Sequence, residues 1–289
     1  METGERIEAT LTQAIQRATT DQAPPLLAAA MRHAVFPGGA RVRPRLTLAV
    51  AAACQDSDPE LAVAAAAAVE LLHCASLVHD DLPCFDDAAI RRGRPSVQAL
   101  FGVPVALLAG DALIVLAFET LAQAPARIPS RLGALLTVIA KGVGAPGGIA
   151  AGQAWESEPD PPPELYRRCK TGALFVAAVK AGAIASGADP DRWTELGLRL
   201  GEAYQVADDL LDAVATGDDC DKPVGRDIVL GRPNTVARLG LDGAVRCLES
   251  LVDSAVLSIP PCRGERELKD LVRLQALRLV PKHLAHRAA

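Results

Sequence analysis

The sequence predicts an all-α protein, and three observations carry that prediction. Apolar residues make up 50% of the 289 residues but aromatic residues only 3%, so most of the apolar share is alanine, leucine and valine. Alanine and leucine are good helix formers. Apolar segments of helical length, separated by short Pro, Gly and Asp breaks, recur from end to end, and no run of alternating β-branched residues competes with them. We therefore expect a single bundle of helices.

The breaks place each helix in order. Proline in the first turn and glycine or aspartate after the last turn are typical helix boundaries. No shift in composition marks a domain boundary, so one domain is expected over residues 1–289, and residues 217–231 are interpreted as a polar loop. Helices are expected near 5–18, 24–34, 42–54, 59–80, 94–101, 103–124, 130–141, 147–156, 163–186, 191–215, 233–239, 242–257 and 265–280.

Charge and cysteine usage limit the possible function classes. The formal charge is −5, which argues against a nucleic-acid surface. The seven cysteines contain no CxxC pair and the N-terminus has no apolar signal region, which indicates a cytoplasmic protein. Residues 61–78 are apolar, but Glu70 and His73 interrupt them. This stretch is interpreted as a buried core helix, so no transmembrane segment is expected.

A first acidic cluster follows that helix. It contains Asp80, Asp81 and Asp86, and Arg91 and Arg92 come shortly after it. Carboxylates at the negative end of a helix dipole need a counter-charge, which Mg²⁺ supplies while substrate phosphate completes its ligand shell. Arginine forks suit phosphate oxygens. The cluster thus indicates a metal-dependent diphosphate site, with a solvated acidic loop as the alternative.

A second acidic cluster lies in another helical segment. Asp208 and Asp212 are four residues apart and share one helix face, with Asp209 on the flank. Helical bundles build metal sites from carboxylates on facing helices. Two such clusters favour a site between two helices over a solvated loop.

These motifs and five others resemble those of the trans-isoprenyl diphosphate synthases, which condense isopentenyl diphosphate with an allylic diphosphate. The resemblance extends over nearly the whole chain and implies an orthogonal helical bundle of the isoprenoid synthase type with a central substrate cavity. The matching segments are 38–44 (GGARVRP), 80–93 (the first aspartate-rich motif with two extra residues), 109–113 (AGDAL), 152–153 (GQ), 170–174 (KTGAL), 208–212 (DDLLD) and 222–227 (KPVGRD).

The resemblance implies roles for the charged residues. About three Mg²⁺ ions would be held by Asp80, Asp86 and Asp208, with Asp81, Asp209 and Asp212 in supporting roles. Allylic diphosphate would be bound by Arg91 and Lys170, with Lys222 and Arg232 closing over it. Thr171 and Gln205 would face the allylic cation as neutral dipoles.

Isopentenyl diphosphate would be bound without metal by Arg43, His73 and Arg92, and also by Arg41, which is close by in sequence. A satisfied core histidine is the alternative for His73. Two departures stand out: the family's lysine of GGKR is Ala40, and its aspartate after GQ is replaced by Glu156.

Product length depends on the residues one turn before Asp80. These are Ala75 and Ser76, where farnesyl synthases of the family carry bulkier side chains, so a twenty-carbon product, geranylgeranyl diphosphate, is expected. The motif at 80–88 resembles that of carotenoid-pathway members, and a homodimer is expected. The alternatives are a farnesyl or longer-chain synthase, a terpene cyclase, and a non-catalytic partner subunit of a prenyl synthase.

Overall fold

The protein is described here from a computed structural model, which covers residues 2–55, 57–160, 162–214 and 234–277. The all-α prediction is confirmed. In the first half of the chain the elements are α1 (Thr3–Ala18), α2 (Pro25–Val35), α3 (Val42–Ala53), α4 (Pro59–Asp80), β1 (Ile90–Arg91), β2 (Arg94–Pro95), α5 (Val97–Phe101), α6 (Val103–Ala122) and α7 (Ser130–Val143).

The second half is also helical. Its elements are α8 (Ile149–Ala154), a 3₁₀ turn (Trp155–Ser157), α9 (Pro163–Arg167), a π-helical turn (Arg168–Gly172), α10 (Ala173–Ser186), a 3₁₀ turn (Pro190–Trp193), α11 (Thr194–Val214), α12 (Thr235–Leu257) and α13 (Glu265–Leu277).

Helix α4 is the centre of the bundle. Asp58 caps it by accepting a hydrogen bond from the Leu61 backbone N–H, and Pro59 begins it. Its residues from Leu61 to Leu72 are all buried, including an uninterrupted alanine run. Small side chains on every face allow α3, α6 and α10 to pack around it. A helix that is apolar on all sides is expected to be enclosed in this way.

Three helical segments are long and apolar enough, by length and composition, to cross a membrane: α4, α6 and residues 164–186. The apolar windows of α4 and of 164–186 are 83% and 67% buried inside the fold, whereas that of α6 is only 44% buried. Helix α4 and residues 164–186 are therefore part of the hydrophobic core, whereas α6 has an exposed apolar face.

One local prediction was wrong. The expected helix at 94–101 is only α5, because residues 90–95 form a hairpin in which β1 pairs with β2. Arg92 (φ 54°) and Gly93 (φ 67°) form its turn with left-handed backbone angles. The helix expected at 163–186 is present without a break, and its residues Arg168–Gly172 form the π turn. The expected loop at 217–231 lies outside the described residues.

Candidate active site

A cavity of about 330 Å³ lies where the C-terminal end of α4 meets α3, α8, the π turn and α11. Its lining combines carboxylates, cations and apolar side chains. Of the predicted site residues, it is lined by Arg43, His73, Ser76, Asp80, Arg91, Lys170, Thr171, Gln205 and Asp208. The sequence motifs thus converge on one site although 165 positions separate Arg43 from Asp208 (208 − 43).

The first aspartate motif folds back on the end of α4. The backbone N–H of Asp86 donates to the carbonyl of Asp80 at 2.9 Å, so the two extra residues of the motif form a compact turn. This bond brings residue 86 back to the start of the motif. Asp80 lines the cavity, and Asp86 is half-buried beside it.

Asp80 is compensated by two cations. Lys170 Nζ lies 3.1 Å from Asp80 Oδ1, and Arg91 Nη2 lies 4.0 Å from Asp80 Oδ2. Burial alone would raise the pKa of Asp80, but the charges of Lys170 and Arg91 outweigh it and hold the pKa below its ordinary value. The Asp80 carboxylate is therefore ionised and ready to accept a metal ion at neutral pH.

Asp81 and Asp209 do not line the cavity. Asp81 is 2% exposed and accepts two hydrogen bonds from Arg91, at 2.9 and 2.5 Å; burial raises its pKa. Asp209 is 1% exposed and accepts from the Thr235 backbone at 2.7 Å and from Gln205 at 3.2 Å. The second carboxylate of each motif thus binds a neighbouring element: Asp81 binds Arg91 of the hairpin, and Asp209 binds the start of α12.

Asp212 is half-buried one turn after Asp208 on α11. Among the described residues, no group of three or more His, Cys, Asp or Glu side chains is arranged so that it could hold a metal ion by itself. The carboxylates instead come from both α4 and α11 along one cavity. Their oxygens suit Mg²⁺, which binds through one or two carboxylates and takes further ligands from substrate phosphate.

The π turn places Lys170 and Thr171 on the cavity. A Cβ added at Gly152 would lie 2.4 Å from the Lys170 backbone nitrogen, and one added at Gly201 would lie 2.5 Å from the Gly172 Cα. Only glycine allows α8 and α11 to approach the turn this closely. The Thr171 hydroxyl donates to Gln205 Oε1 at 2.8 Å, so the two predicted neutral dipoles are in contact.

Arg43 and His73 form a separate corner of the cavity. Arg43 Nη1 lies 3.5 Å from His73 Nε2, and the guanidinium lies over the Phe175 ring at 4.4 Å from its centroid. Burial and then the charge of Arg43 lower the pKa of His73 well below its ordinary value. His73 is therefore neutral at neutral pH. The stacking of Arg43 on Phe175 was missed from the sequence, which contains no motif that signals it.

The expectation that Arg41 faces isopentenyl diphosphate is wrong. Its left-handed backbone (φ 51°) turns the side chain into the fold, where it is 5% exposed. The guanidinium binds Glu8 at 2.8 Å, Glu70 at 2.7 Å and the Val35 carbonyl at 2.9 Å. Arg41 is therefore a structural residue.

The other predicted residues have distinct positions. Arg92 lies over Gly39, where an added Cβ would be 3.2 Å from its guanidinium. Ala40 beside it is exposed. Ala75 is 1% exposed and packs in the main core, so of the two chain-length residues Ser76 alone is part of the described cavity lining. Lys222 and Arg232 lie outside the described residues.

Comparison with known proteins identifies the family. The family model for polyprenyl synthetase matches residues 24–253. The chain is 52% identical over 283 residues to the geranylgeranyl diphosphate synthase of Cereibacter sphaeroides, covering 98% of each chain. It is 48% identical to the geranylgeranyl diphosphate synthase of Rhodobacter capsulatus, covering 97% of each.

The chain belongs to the polyprenyl synthetase family.

This polyprenyl synthetase is an enzyme of the short-chain trans-prenyltransferase type with the isoprenoid synthase fold. Its fold matches a Helicobacter pylori geranyltransferase solved with magnesium and isoprenyl diphosphate (TM-score 0.82, 26% identity, 96% of each chain covered). It also matches the geranylgeranyl pyrophosphate synthetase of Pyrococcus horikoshii (TM-score 0.79, 28% identity, 95% of this chain and 97% of that one).

Proposed function

We propose that this polyprenyl synthetase extends allylic diphosphates with isopentenyl diphosphate, in head-to-tail 1′-4 condensation, to geranylgeranyl diphosphate. The observation that carries the proposal is the cavity in which carboxylates from α4 and α11 meet cationic side chains at two separate places. Arg91 and Lys170 lie beside Asp80, whereas the single cation Arg43 lies beside the neutral His73. Positive charge at two places on one cavity suits two diphosphate substrates.

Mg²⁺ is the proposed cofactor. Asp80 and Asp208, which line the cavity, with Asp86 and Asp212 of the same two motifs, would hold about three ions together with the substrate diphosphate, and the buried Asp81 and Asp209 would support them. When bound, Mg²⁺ supplies Lewis-acid charge to the departing diphosphate. The Helicobacter pylori relative solved with magnesium supports this choice of metal.

The allylic diphosphate is proposed to bind Arg91 and Lys170, with Lys222 and Arg232 adding further cations. Breaking the allylic C–O bond leaves a carbocation, which the Thr171 and Gln205 dipoles stabilise without capturing it. Isopentenyl diphosphate is proposed to bind Arg43 and Arg92, with neutral His73 as a hydrogen-bonding partner. The released diphosphate removes the proton after the new C–C bond forms.

A twenty-carbon product is favoured by the small side chain of Ser76 on the cavity wall. Leu77 lines the wall next to it, and the preceding turn of α4 is buried. The names of the Cereibacter and Rhodobacter relatives agree with this product. The alternative is farnesyl diphosphate, which a Geobacillus stearothermophilus relative that is 35% identical makes by its name.

The assembly proposed is a homodimer through α6. Val103, Leu107, Leu108 and Val115 on this helix are 42%, 46%, 55% and 66% exposed, which is unusual for such large apolar side chains spaced along one helix. A second copy covering this face would remove them from water. We further propose that the whole chain, residues 1–289, acts as one soluble cytoplasmic prenyl synthase domain that serves carotenoid-type isoprenoid synthesis.

The decisive experiment is a product assay. Purified protein is incubated with Mg²⁺, labelled isopentenyl diphosphate and an allylic primer of five, ten or fifteen carbons, and the product is sized. We expect a twenty-carbon product, its loss in Asp208→Asn, and full activity in the matched control Asp191→Asn, whose carboxylate is 85% exposed. A fifteen-carbon end product would establish the farnesyl alternative. No product with any primer would overturn the proposal in favour of a non-catalytic subunit.

A further inference from the structure

The carboxylate of Glu156 lies between Lys170 and Tyr166. Lys170 Nζ donates to Glu156 Oε1 at 2.5 Å, and the Tyr166 hydroxyl donates to the same oxygen at 2.6 Å. Side-chain exposure is 20% for Lys170 and 12% for Glu156. These are short, charge-assisted contacts in a poorly hydrated place, where such bonds are strong.

Lys170 is shared between two carboxylates. Besides Glu156 it binds Asp80 Oδ1 at 3.1 Å, and Gln153 donates to the same Asp80 oxygen at 3.3 Å. Burial works against the ammonium, but the charges of Asp80 and Glu156 outweigh it and raise the pKa of Lys170. Lys170 is therefore cationic throughout the neutral pH range.

The carboxylates of Asp80 and Glu156 have different roles under the proposed function. Asp80 is a proposed metal ligand, and an oxygen that binds a cation holds an ammonium group less strongly. Glu156 comes from the 3₁₀ turn after α8 and does not belong to either aspartate motif. It can keep Lys170 in place when Asp80 changes partner.

Three elements cooperate in this contact. Glu156 lies on the 3₁₀ turn, Tyr166 on α9 and Lys170 on the π turn. A lysine side chain has four flexible bonds, and fixing it costs conformational entropy. A carboxylate that is itself fixed by a hydroxyl group can hold the ammonium in one position before substrate arrives.

We propose that Glu156 and Tyr166 are positioning residues that hold the Lys170 ammonium toward the allylic diphosphate. This inference rests on the proposed function. Tyr166 donates to Glu156, Glu156 accepts from Lys170, and Lys170 alone of the three meets the diphosphate. The pair thereby sets affinity for the allylic substrate and leaves the Arg43 and His73 corner unaffected.

The test is steady-state kinetics of Tyr166→Phe, which removes one hydroxyl group and keeps the ring. We expect KM for the allylic diphosphate to rise roughly three- to tenfold, the size of a typical single hydrogen bond, because the lost bond acts on the substrate only through Glu156 and Lys170. KM for isopentenyl diphosphate, measured at saturating primer, should stay unchanged. Asp191→Asn is the matched control. It weakens the 2.8 Å contact between Lys180 and Asp191, and neither residue is part of the cavity lining.

A double-mutant cycle separates positioning from a general structural role. Glu156→Asp withdraws the carboxylate by one methylene, so Tyr166→Phe should have little further effect in that background. If both KM values rise together, or if the two changes are simply additive, the inference is wrong. If the unmodified enzyme forms no product, the proposed function fails instead, so the two failures are distinguishable.

Discussion

Arg41 Nη1 lies 2.7 Å from Glu70 Oε1, with both side chains almost fully buried, 4% and 2% exposed. The pair joins the start of α3 to the middle of α4, and Glu8 adds a contact from α1. Arg43, two residues later, lines the cavity instead. One short motif therefore supplies one arginine that links buried helices and another that lines the cavity.

Replacing Arg41 is expected to affect stability. Arg41→Met leaves Glu70 as an uncompensated buried carboxylate, which should lower the free energy of unfolding by about 3–5 kcal/mol. Urea unfolding measures this loss. The folded fraction of the Arg41→Met protein should have an unchanged KM for isopentenyl diphosphate, whereas Arg43→Met should raise this KM. A raised KM with unchanged stability in Arg41→Met would contradict the structural role.

Bulk at Ser76 is expected to shorten the product. Ser76→Phe places a ring in the cavity, so we expect a shift from twenty toward fifteen carbons, measured by product sizing. Ala75→Phe places the ring in a closed core, where overpacking costs typically about 1–3 kcal/mol, so this variant should lose stability as well. An unchanged product in Ser76→Phe would show that the chain grows elsewhere.

Restoring a lysine at residue 40 is expected to strengthen isopentenyl diphosphate binding. Ala40 is exposed beside Gly39, against which Arg92 lies. Ala40→Lys adds a cation there, so KM for isopentenyl diphosphate should fall while KM for the primer stays constant. Ala40→Met, of similar length without charge, is the control. Equal effects of the two variants would exclude electrostatics as the cause.

His73 is expected to make the fold sensitive to acid. Its folded pKa lies well below the unfolded value of about 6.5. As the pH falls below that value, His73 is protonated in the unfolded chain but stays neutral in the folded chain. The free energy of unfolding therefore decreases. Above about pH 7 both states are neutral at this residue. Urea unfolding at pH 7 and pH 5 should show a smaller loss in His73→Gln, and an equal loss would contradict this account.

Charge on α6 is expected to break the proposed dimer. Leu108→Glu combined with Val115→Glu puts carboxylates on the exposed apolar face, so the protein should elute as a monomer in size-exclusion chromatography with light scattering. Leu257→Glu changes an 81% exposed side chain on α12 and should leave the mass unchanged. A dimer that survives the double change would place the interface elsewhere.

Much of the fold was predictable because proline and glycine mark its helix ends. Pro25, Pro59 and Pro190 each begin a helix or turn, and the expected break between residues 239 and 242 appears as the non-helical Gly240. The spacing of Asp208 and Asp212 was informative for the same reason, since helical periodicity fixes which residues share a face.

The missed features depend on backbone geometry that periodicity does not encode. The left-handed angle at Arg41 reverses the direction of its side chain, and nothing in GGARVRP signals it. The π turn lies inside an apolar helical pattern. The hairpin turn has glycine at its second left-handed position, but its first is Arg92 rather than the Asn, Asp or Gly that usually signals such a turn.

The contacts of Lys170 and Arg91 with Asp80 and Asp81 have a consequence for the resting enzyme. These cations offset the mutual repulsion of the carboxylates, so the acidic end of α4 carries its own counter-charges before any ion arrives. Ion loading then becomes an exchange of partners within a folded scaffold. Under the proposed function, removal of Mg²⁺ is therefore expected to stop prenyl transfer while the protein stays folded, and adding the ion back should restore activity.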